Sequence, residues 1–305
     1  MEGLAMLPFT GPMAAAVTPS RPDSYQMDLA ACLDVIDFLC QSDVRAIALF
    51  GATGEFPHFT VEDRVRLAHM AIKRSRVPVI VNATHSCFEE ARSIIEHAAA
   101  NGAAGILLQP PSYFRYAAPE IRQFFLDMIE EFEGQIPILL YNLPFFNNPI
   151  PVDVACELLQ SGTAAGIKDS SGDLAYFDQL VRVRQSVEFP LIVGNDNVFV
   201  EARRRGADGV ISGCAAAVPE LLTALDHAIV DGNEPKITDL SLLLNEFIRR
   251  IERFPGPLGI RECLSTRGLK MGARAIPFAE QTERAAAELR EWFHGWLPGM
   301  IEKTR

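Results

Sequence analysis

The chain has 305 residues, of which 49% are hydrophobic and 22% are charged, and its formal net charge at pH 7 is -11. This composition can fill a large core in one big domain or in a domain with an appendage. The acidic balance argues against nucleic acid and anionic membranes as partners, because both would repel the surface, so a small molecule is the better default ligand.

The six cysteines are scattered without a CxxC pair, and we interpret them as reduced core residues. The N-terminal segment lacks a basic region before an apolar core, and no apolar run is long enough to span a bilayer. We therefore expect a cytoplasmic location without membrane insertion.

Short apolar segments rich in valine, isoleucine, leucine and alanine recur along the chain and predict eight β-strands. They lie near 12–17, 45–50, 78–82, 104–108, 136–141, 163–168, 190–194 and 208–213. Amphipathic stretches of helical length occur between them, at 27–41, 61–74, 88–101, 119–132 and 173–187. Eight strand-helix units within roughly 220 residues are what a (β/α)8 TIM barrel requires.

Two of the predicted helices begin with an N-capping pattern. A hydroxyl residue is followed three residues later by an acidic residue, and both side chains can accept hydrogen bonds from the free backbone N–H groups of the first turn. Thr60 precedes Asp63 in this way, and Ser86 precedes Glu89. Both positions predict helix starts directly after a strand and its loop.

No further strand is predicted after about Pro219, and the remaining sequence has helices interrupted at 254–257 and 275–277. We expect residues 1–230 to form the barrel that carries the active site. Residues 231–305 are expected to form a C-terminal helical domain packed on the barrel.

The second strand leads into the turn Gly51-Ala52-Thr53-Gly54-Glu55. Barrel enzymes place their chemistry at the carboxyl ends of the strands. Two glycines beside a hydroxyl let backbone amides approach an anion, and Thr53 can add a hydrogen bond to a carboxylate. A glycine-rich turn with no ligand is the alternative.

The fourth and fifth strands lead into aromatic segments. The fourth runs into Gln109-Pro110-Pro111-Ser112-Tyr113-Phe114, and the fifth ends at Tyr141-Asn142-Leu143-Pro144. A tyrosine at a strand end can serve as an acid/base group, although packing with its hydroxyl at the surface is the commoner arrangement.

Lys168 ends the sixth apolar run, Ala164–Lys168, whereas the other four lysines lie in polar or terminal contexts. An amine in apolar surroundings is favoured in its neutral form, which can attack a ketone. The alternative is a lysine that reaches from the strand end to pair with Asp169 or Asp173.

These motifs together resemble the dihydrodipicolinate synthase/N-acetylneuraminate lyase family over nearly the whole chain. The resemblance rests on Gly51–Glu55, Pro111–Tyr113, Tyr141–Pro144 and Gly166–Asp169, and it extends to Ala16–Pro19 and Gly209–Ser212. It implies a homotetrameric barrel enzyme that binds pyruvate, or a 2-oxo acid that releases it, as a Schiff base and reacts it with an aldehyde.

The resemblance also implies roles for individual residues. Lys168 would form the Schiff base, Tyr141 would be the acid/base phenol, and Tyr113 would reach into a neighbouring subunit's site. Substrate contacts would come from the following residues: Gly51, Ala52, Thr53, Phe146 and Ile211. No metal or organic cofactor is implied, because the iminium itself withdraws electrons.

Two departures from the synthase pattern affect the expected substrate. Ala52 stands where the synthase has a second hydroxyl, and the run 144–148 lacks the arginine that grips the second substrate's carboxylate. Phe145 and Phe146 would offer an apolar wall, with neutral hydrogen bonds from Asn147 and Asn148. We therefore favour an aldolase or lyase, for example of a 2-keto-3-deoxy sugar acid.

The synthase proper and a dehydratase of such a sugar acid remain open alternatives. So do a non-catalytic ligand-binding barrel and a phosphate-binding barrel, the latter because of the turn Ser212-Gly213 after the eighth strand.

Overall fold

The computed structural model describes residues 9–305, which contain ten strands. The strands are β1 (Gly11–Ala15), β2 (Ser20–Arg21), β3 (Ser24–Met27), β4 (Ile47–Leu49), β5 (Val79–Asn82), β6 (Gly105–Leu108), β7 (Ile138–Asn142), β8 (Gly166–Asp169), β9 (Leu191–Val193) and β10 (Gly209–Ser212).

The α-helices of the same residues alternate with the strands and then continue alone to the end of the chain. They are α1 (Leu29–Cys40), α2 (Val61–Arg74), α3 (Phe88–Ala100), α4 (Ala118–Glu131), α5 (Val152–Gln160), α6 (Leu174–Val183), α7 (Phe199–Arg204), α8 (Cys214–Ala217), α9 (Pro219–Val230), α10 (Glu234–Ile251), α11 (Leu258–Thr266) and α12 (Glu280–Thr304). Within residues 9–305, no helix combines the length and the hydrophobicity needed to cross a membrane.

Eight of the strands form a closed parallel barrel in the order β1-β10-β9-β8-β7-β6-β5-β4, with β4 returning to β1. The eight predicted strands match these barrel strands, so the predicted (β/α)8 TIM barrel with a helical C-terminal part is confirmed. The antiparallel hairpin β2-β3 was not predicted, because strands this short carry no alternation of apolar residues.

The barrel interior is filled by side chains that alternate along the strands. Ile80, Leu107, Leu139 and Ile192 belong to one buried interior cluster, while their neighbours along the strands pack against the surrounding helices. Because successive side chains of a strand point to opposite faces, this pattern also fixes which polar residues face inward near the strand ends.

The predicted caps are correct at one helix and wrong at the other. The Thr60 side chain accepts a hydrogen bond from the Asp63 amide (3.1 Å) at the start of α2. At α3 the N-cap is Cys87, which makes no side-chain cap, and the Ser86 hydroxyl instead contacts the Ser112 hydroxyl (2.6 Å). Cys87 is also exposed, so it is not the core residue that the sequence predicted.

Helix α11 is tied to the barrel mouth by Arg261, which is 4% exposed. One guanidinium nitrogen donates to the Thr18 carbonyl (3.1 Å) after β1 and to the Glu55 carboxylate (3.0 Å) after β4. The other donates to the carbonyls of Met271 (2.5 Å) and Ala273 (2.9 Å). The C-terminal helices therefore contribute directly to the geometry of the mouth. The domain boundary near 230/231 stays a prediction; it falls in the turn between α9 and α10.

Candidate active site

The Lys168 amine lies over the face of the Tyr141 ring, 4.0 Å from the ring centroid. The two residues are register partners on β8 and β7, and they are 3% and 2% exposed. Both side chains are thus held by regular strand pairing rather than by mobile loops. The sequence-predicted amine and phenol are brought together at the carboxyl end of the barrel.

Lys168 forms no ion pair with any of residues 9–305. The alternative pairing with Asp169 or Asp173 is wrong, because both carboxylates are engaged elsewhere. Asp169 accepts from the Asn142 amide (2.8 Å) and the Ser171 hydroxyl (2.8 Å), and burial raises its pKa. Asp173 caps helix α6. A buried amine that forms no ion pair is costly for stability, which is typical of a functional group.

Gly194 follows β9 and lies directly against Lys168. A Cβ at this position would be 2.6 Å from Lys168 Cε and still closer to the Ser170 hydroxyl. Only glycine allows this approach, so the position of Gly194 keeps the amine and Ser170 side by side. The Ser170 Oγ is buried and has no hydrogen-bond partner in the described part of the chain.

Asp196 supplies a second unpartnered polar atom near the amine. Its Oδ1 is buried without a partner among residues 9–305, while Oδ2 accepts from the Cys214 amide (3.4 Å). Burial raises the pKa of Asp196, although the hydrogen bond from the Cys214 amide and the charge of Lys168 oppose that shift. A carboxylate oxygen and a hydroxyl without partners are ready to bind donors on a substrate.

The raised pKa of Asp196 predicts that Asp196→Asn stabilises the protein at neutral pH. Since the folded-state pKa lies above the ordinary value of 3.8, the ionised carboxylate is disfavoured in the fold, and the protein loses stability as pH rises from the ordinary pKa through the folded-state pKa. We expect a gain of about 1 kcal/mol at pH 7, or about 2 °C in Tm, that shrinks towards pH 4.

Thermal unfolding at both pH values measures this effect, with Asp239→Asn on the exposed face of α10 as the matched control. A variant that is less stable than wild type at pH 7, or a gain that is equal at pH 4, would contradict the assignment.

The turn after β4 presents free backbone donors. The Gly54 amide donates to the Gly51 carbonyl (3.0 Å) and the Glu55 amide to the Ala52 carbonyl (3.1 Å), which closes the turn. The amides of Gly51, Ala52 and Thr53 and the Thr53 hydroxyl have no acceptor in the described part of the chain. Successive free N–H groups in a turn can form a concave anion site, and the binding of a carboxylate at this turn stays a prediction.

The remaining predicted contacts lie around the same mouth. Ala52 packs against the interior cluster that contains Tyr141 and Ile211, and Ile211 is 1% exposed. A Cβ on Gly213 would lie 3.0 Å from Thr53 Oγ1, so the turn meets the end of β10. The Ser212 hydroxyl accepts from the Ala215 amide (2.9 Å), and α8 has only four residues, which disfavours a phosphate site there.

Tyr113 and Phe146 lie at the surface of the isolated chain. Tyr113 is 91% exposed and has φ of 78°, in the left-handed region that a tyrosine rarely adopts. Phe146 is 75% exposed, and its contact with substrate stays a prediction.

The interpretation of Asn147 and Asn148 as substrate donors is wrong. Both are buried, and their amide groups hold the loop after β6: Asn147 donates to the Pro110 carbonyl (2.8 Å), and Asn148 donates to the Phe114 carbonyl (2.8 Å). The turn 144–148 is nevertheless contacted by an arginine. Arg115, on the loop after β6, donates to the Asn147 carbonyl (3.4 Å).

Sequence reasoning missed Ser170, Gly194 and Asp196. Their positions after β8 and β9 were a usable signal, because polar or glycine residues that directly follow a barrel strand lie at the mouth. Ser170 lies two residues after Lys168 and therefore shares its face by strand alternation, whereas the proximity of Gly194 and Asp196 to Lys168 depends on barrel closure and has no signature in the sequence.

Comparison with known proteins agrees with the family resemblance that the sequence motifs indicated. The model of the dihydrodipicolinate synthetase family matches residues 8–294. A curated relative, the 4-hydroxy-tetrahydrodipicolinate synthase of Methanosarcina barkeri, is 27% identical over 288 residues, or 93% of this chain and 98% of the relative.

Two solved structures share the fold. YagE from Escherichia coli K12, described as a prophage protein of the dihydrodipicolinic acid synthase family in complex with pyruvate, has a TM-score of 0.85 and 23% identity, covering 94% of this chain and 98% of YagE. The 2-keto 3-deoxygluconate aldolase of Picrophilus torridus has a TM-score of 0.81 and 20% identity, covering 87% and 96%. At this identity both likenesses concern the fold.

Proposed function

The chain belongs to the dihydrodipicolinate synthetase family, and on this premise we propose that it is a pyruvate-dependent lyase that cleaves or forms a carbon-carbon bond to a hydroxylated aldehyde. The observation that supports the proposal most directly is the buried Lys168 amine, unpaired with any carboxylate of residues 9–305 and 4.0 Å from the Tyr141 ring centroid. We regard a 2-keto-3-deoxy sugar acid as the best candidate substrate class.

The reaction begins when Lys168 Nζ attacks the ketone carbon of the 2-oxo acid to give a carbinolamine. The Tyr141 phenol gives its proton to the carbinolamine hydroxyl, which leaves as water, so that an iminium and the Tyr141 phenolate are formed. In the cleavage direction, the Tyr141 phenolate removes the proton from the hydroxyl beside the bond to be broken. The bond's electron pair passes into an enamine and the aldehyde departs. Protonation of the enamine carbon and hydrolysis of the iminium then release pyruvate and return the amine.

The substrate's carboxylate would bind the free amides of the turn 51–53 and the Thr53 hydroxyl. This contact fixes the ketone carbon over the amine, and correct placement of reacting atoms can supply several kcal/mol of the rate acceleration, about 7 kcal/mol in favourable cases.

The distal part of the substrate would meet Ser170 and Asp196. Their unpartnered oxygens suit hydroxyl groups, which donate as well as accept. A carboxylate on the aldehyde would be repelled by Asp196, and the only arginine seen at the neighbouring turn, among residues 9–305, is the exposed Arg115. A neutral hydroxylated aldehyde is therefore favoured over the charged partner of a synthase, despite the synthase names of the curated relatives. The retained amine and phenol likewise disfavour a non-catalytic barrel.

A homotetramer and a cytoplasmic location are further parts of the proposal. Five exposed aromatic residues lie on the loops after β6 and β7, namely Tyr113, Phe114, Tyr116, Phe145 and Phe146. An apolar surface of this kind supports contact with another subunit, in which Tyr113 would approach the neighbouring site.

The proposal is tested by mass spectrometry of the intact protein after incubation with pyruvate and borohydride. We expect one reduced pyruvate to be added per chain. An adduct-forming protein is then assayed for aldol addition with glyceraldehyde and with succinic semialdehyde, and we expect turnover with the former only. A folded protein without an adduct would overturn the Schiff-base mechanism, and a preference for succinic semialdehyde would overturn the substrate class.

A further inference from the structure

We propose that Asn82, Thr84 and the backbone of Gln109 form a hydrogen-bond relay that orients the carboxylate-binding turn, which makes Asn82 and Thr84 positioning residues for the 2-oxo acid. The inference rests on the proposed function, because that function places the carboxylate at the turn 51–53. None of the three residues needs to touch the substrate.

The relay ends on a strained residue. Phe50 has φ of 60°, in the left-handed region that a bulky side chain rarely adopts, and such strain persists only where the surroundings enforce it. Its carbonyl accepts a hydrogen bond from Asn82 Nδ2 (2.6 Å). Because Phe50 directly precedes Gly51, its backbone conformation decides where the free amides of the turn point.

The direction of every hydrogen bond in the relay is determined. The Gln109 amide can only donate, and it donates to Thr84 Oγ1 (3.0 Å). The Thr84 hydroxyl hydrogen therefore remains for Asn82 Oδ1 (2.6 Å). Since Oδ1 is engaged as an acceptor, it is Nδ2 of Asn82 that faces the Phe50 carbonyl. All three side chains are at most 2% exposed, so water cannot readily replace a lost member.

Arg64 holds the same segment from the helix side. Its guanidinium donates to the Asn82 carbonyl (2.6 Å) and the Thr84 carbonyl (3.1 Å) and lies 5.6 Å from the centroid of the Phe50 ring. Burial lowers the pKa of Arg64 to about 10, which leaves it cationic at neutral pH. The backbone from which the relay side chains project is therefore fixed.

The relay joins the ends of β4, β5 and β6, whereas the amine and the phenol lie on β8 and β7. Because the relay and the amine lie on different strands, loss of the relay should affect substrate binding and amine reactivity differently. Loss of the relay should weaken recognition of the carboxylate while leaving the reactivity of the amine intact.

The test compares Thr84→Val, which keeps the shape but removes the hydroxyl, with Thr84→Ser, which keeps the hydroxyl. Borohydride trapping is measured against pyruvate concentration, and also with hydroxyacetone, a ketone that has no carboxylate. For Thr84→Val we expect the half-saturating pyruvate concentration to rise by about 10- to 100-fold, because a buried acceptor loses its donor. Trapping of hydroxyacetone should stay within about twofold of wild type, and Thr84→Ser should behave as wild type.

Asn82→Asp, which removes the donor to Phe50 at nearly constant volume, provides a second variant if Thr84→Val does not fold. An unchanged pyruvate response in both variants would overturn the relay, and so would an equal loss of pyruvate and hydroxyacetone trapping. If wild type itself traps hydroxyacetone but not pyruvate, the proposed function is wrong, and the relay then has no carboxylate to position.

Discussion

Replacement of Lys168 by alanine is expected to abolish turnover, with a fall in kcat/KM on the order of 10⁴-fold or more, because no other group can form the iminium. The borohydride-trapped pyruvate adduct should disappear as well. The other four lysines lie outside the barrel strands, at Lys73 on α2, Lys236 on α10, Lys270 after α11 and Lys303 on α12, so we expect none of them to replace Lys168.

The same side chain is expected to lower the stability of the fold. It is 3% exposed and has no carboxylate partner among residues 9–305. Lys168→Met replaces the buried amine with an apolar side chain of similar length, and we expect it to raise the free energy of unfolding by about 1 kcal/mol or more. Urea unfolding measures this gain. Lys73→Ala, at an exposed site on α2, is the control for both activity and stability. Near-normal turnover in Lys168→Ala would refute the mechanism.

Tyr141→Phe is expected to slow turnover on the order of 10²- to 10⁴-fold, the contribution of one general acid/base group. The ring beneath the amine is retained, so the Schiff base should still form, but more slowly. Steady-state rates combined with the time course of borohydride trapping separate these two effects.

Tyr176→Phe is the matched control, since it removes a buried hydroxyl without a partner in the described part of the chain, on helix α6. We expect its rate to stay within about twofold of wild type. Equal rates for Tyr141→Phe and wild type would exclude Tyr141 from proton transfer.

The barrel could be predicted from the sequence because each strand is a short apolar run and each run is followed by a helix-forming stretch. The proximity of Lys168 and Tyr141 could be predicted for a related reason. Lys168 and Tyr141 both end such runs, and the carboxyl ends of all barrel strands meet at one rim. At these two positions the local sequence pattern predicts a strand end, and the barrel topology brings those strand ends together.

The errors concern side chains whose partners are distant in sequence. Asn147 looks like an exposed polar residue in a turn, yet it is buried because its amide bonds to Pro110, on a different loop. Asp196 carries no local signal of its relation to Lys168, because the two residues lie at the ends of different strands. Such contacts form only once the barrel closes, and a local pattern contains no information about them.

The bonds of Arg261 to Thr18 and Glu55 have a consequence for biosynthesis. A nascent chain that has emerged from the ribosome as far as residue 230 contains all eight barrel strands, but it lacks Arg261. The turn that is proposed to bind the carboxylate therefore lacks these bonds, although Lys168 has already been synthesised. We therefore expect a polypeptide that ends at residue 230 to carry the proposed nucleophile without the contacts that hold the proposed substrate-binding turn, so that catalytic competence would depend on synthesis of the C-terminal helices.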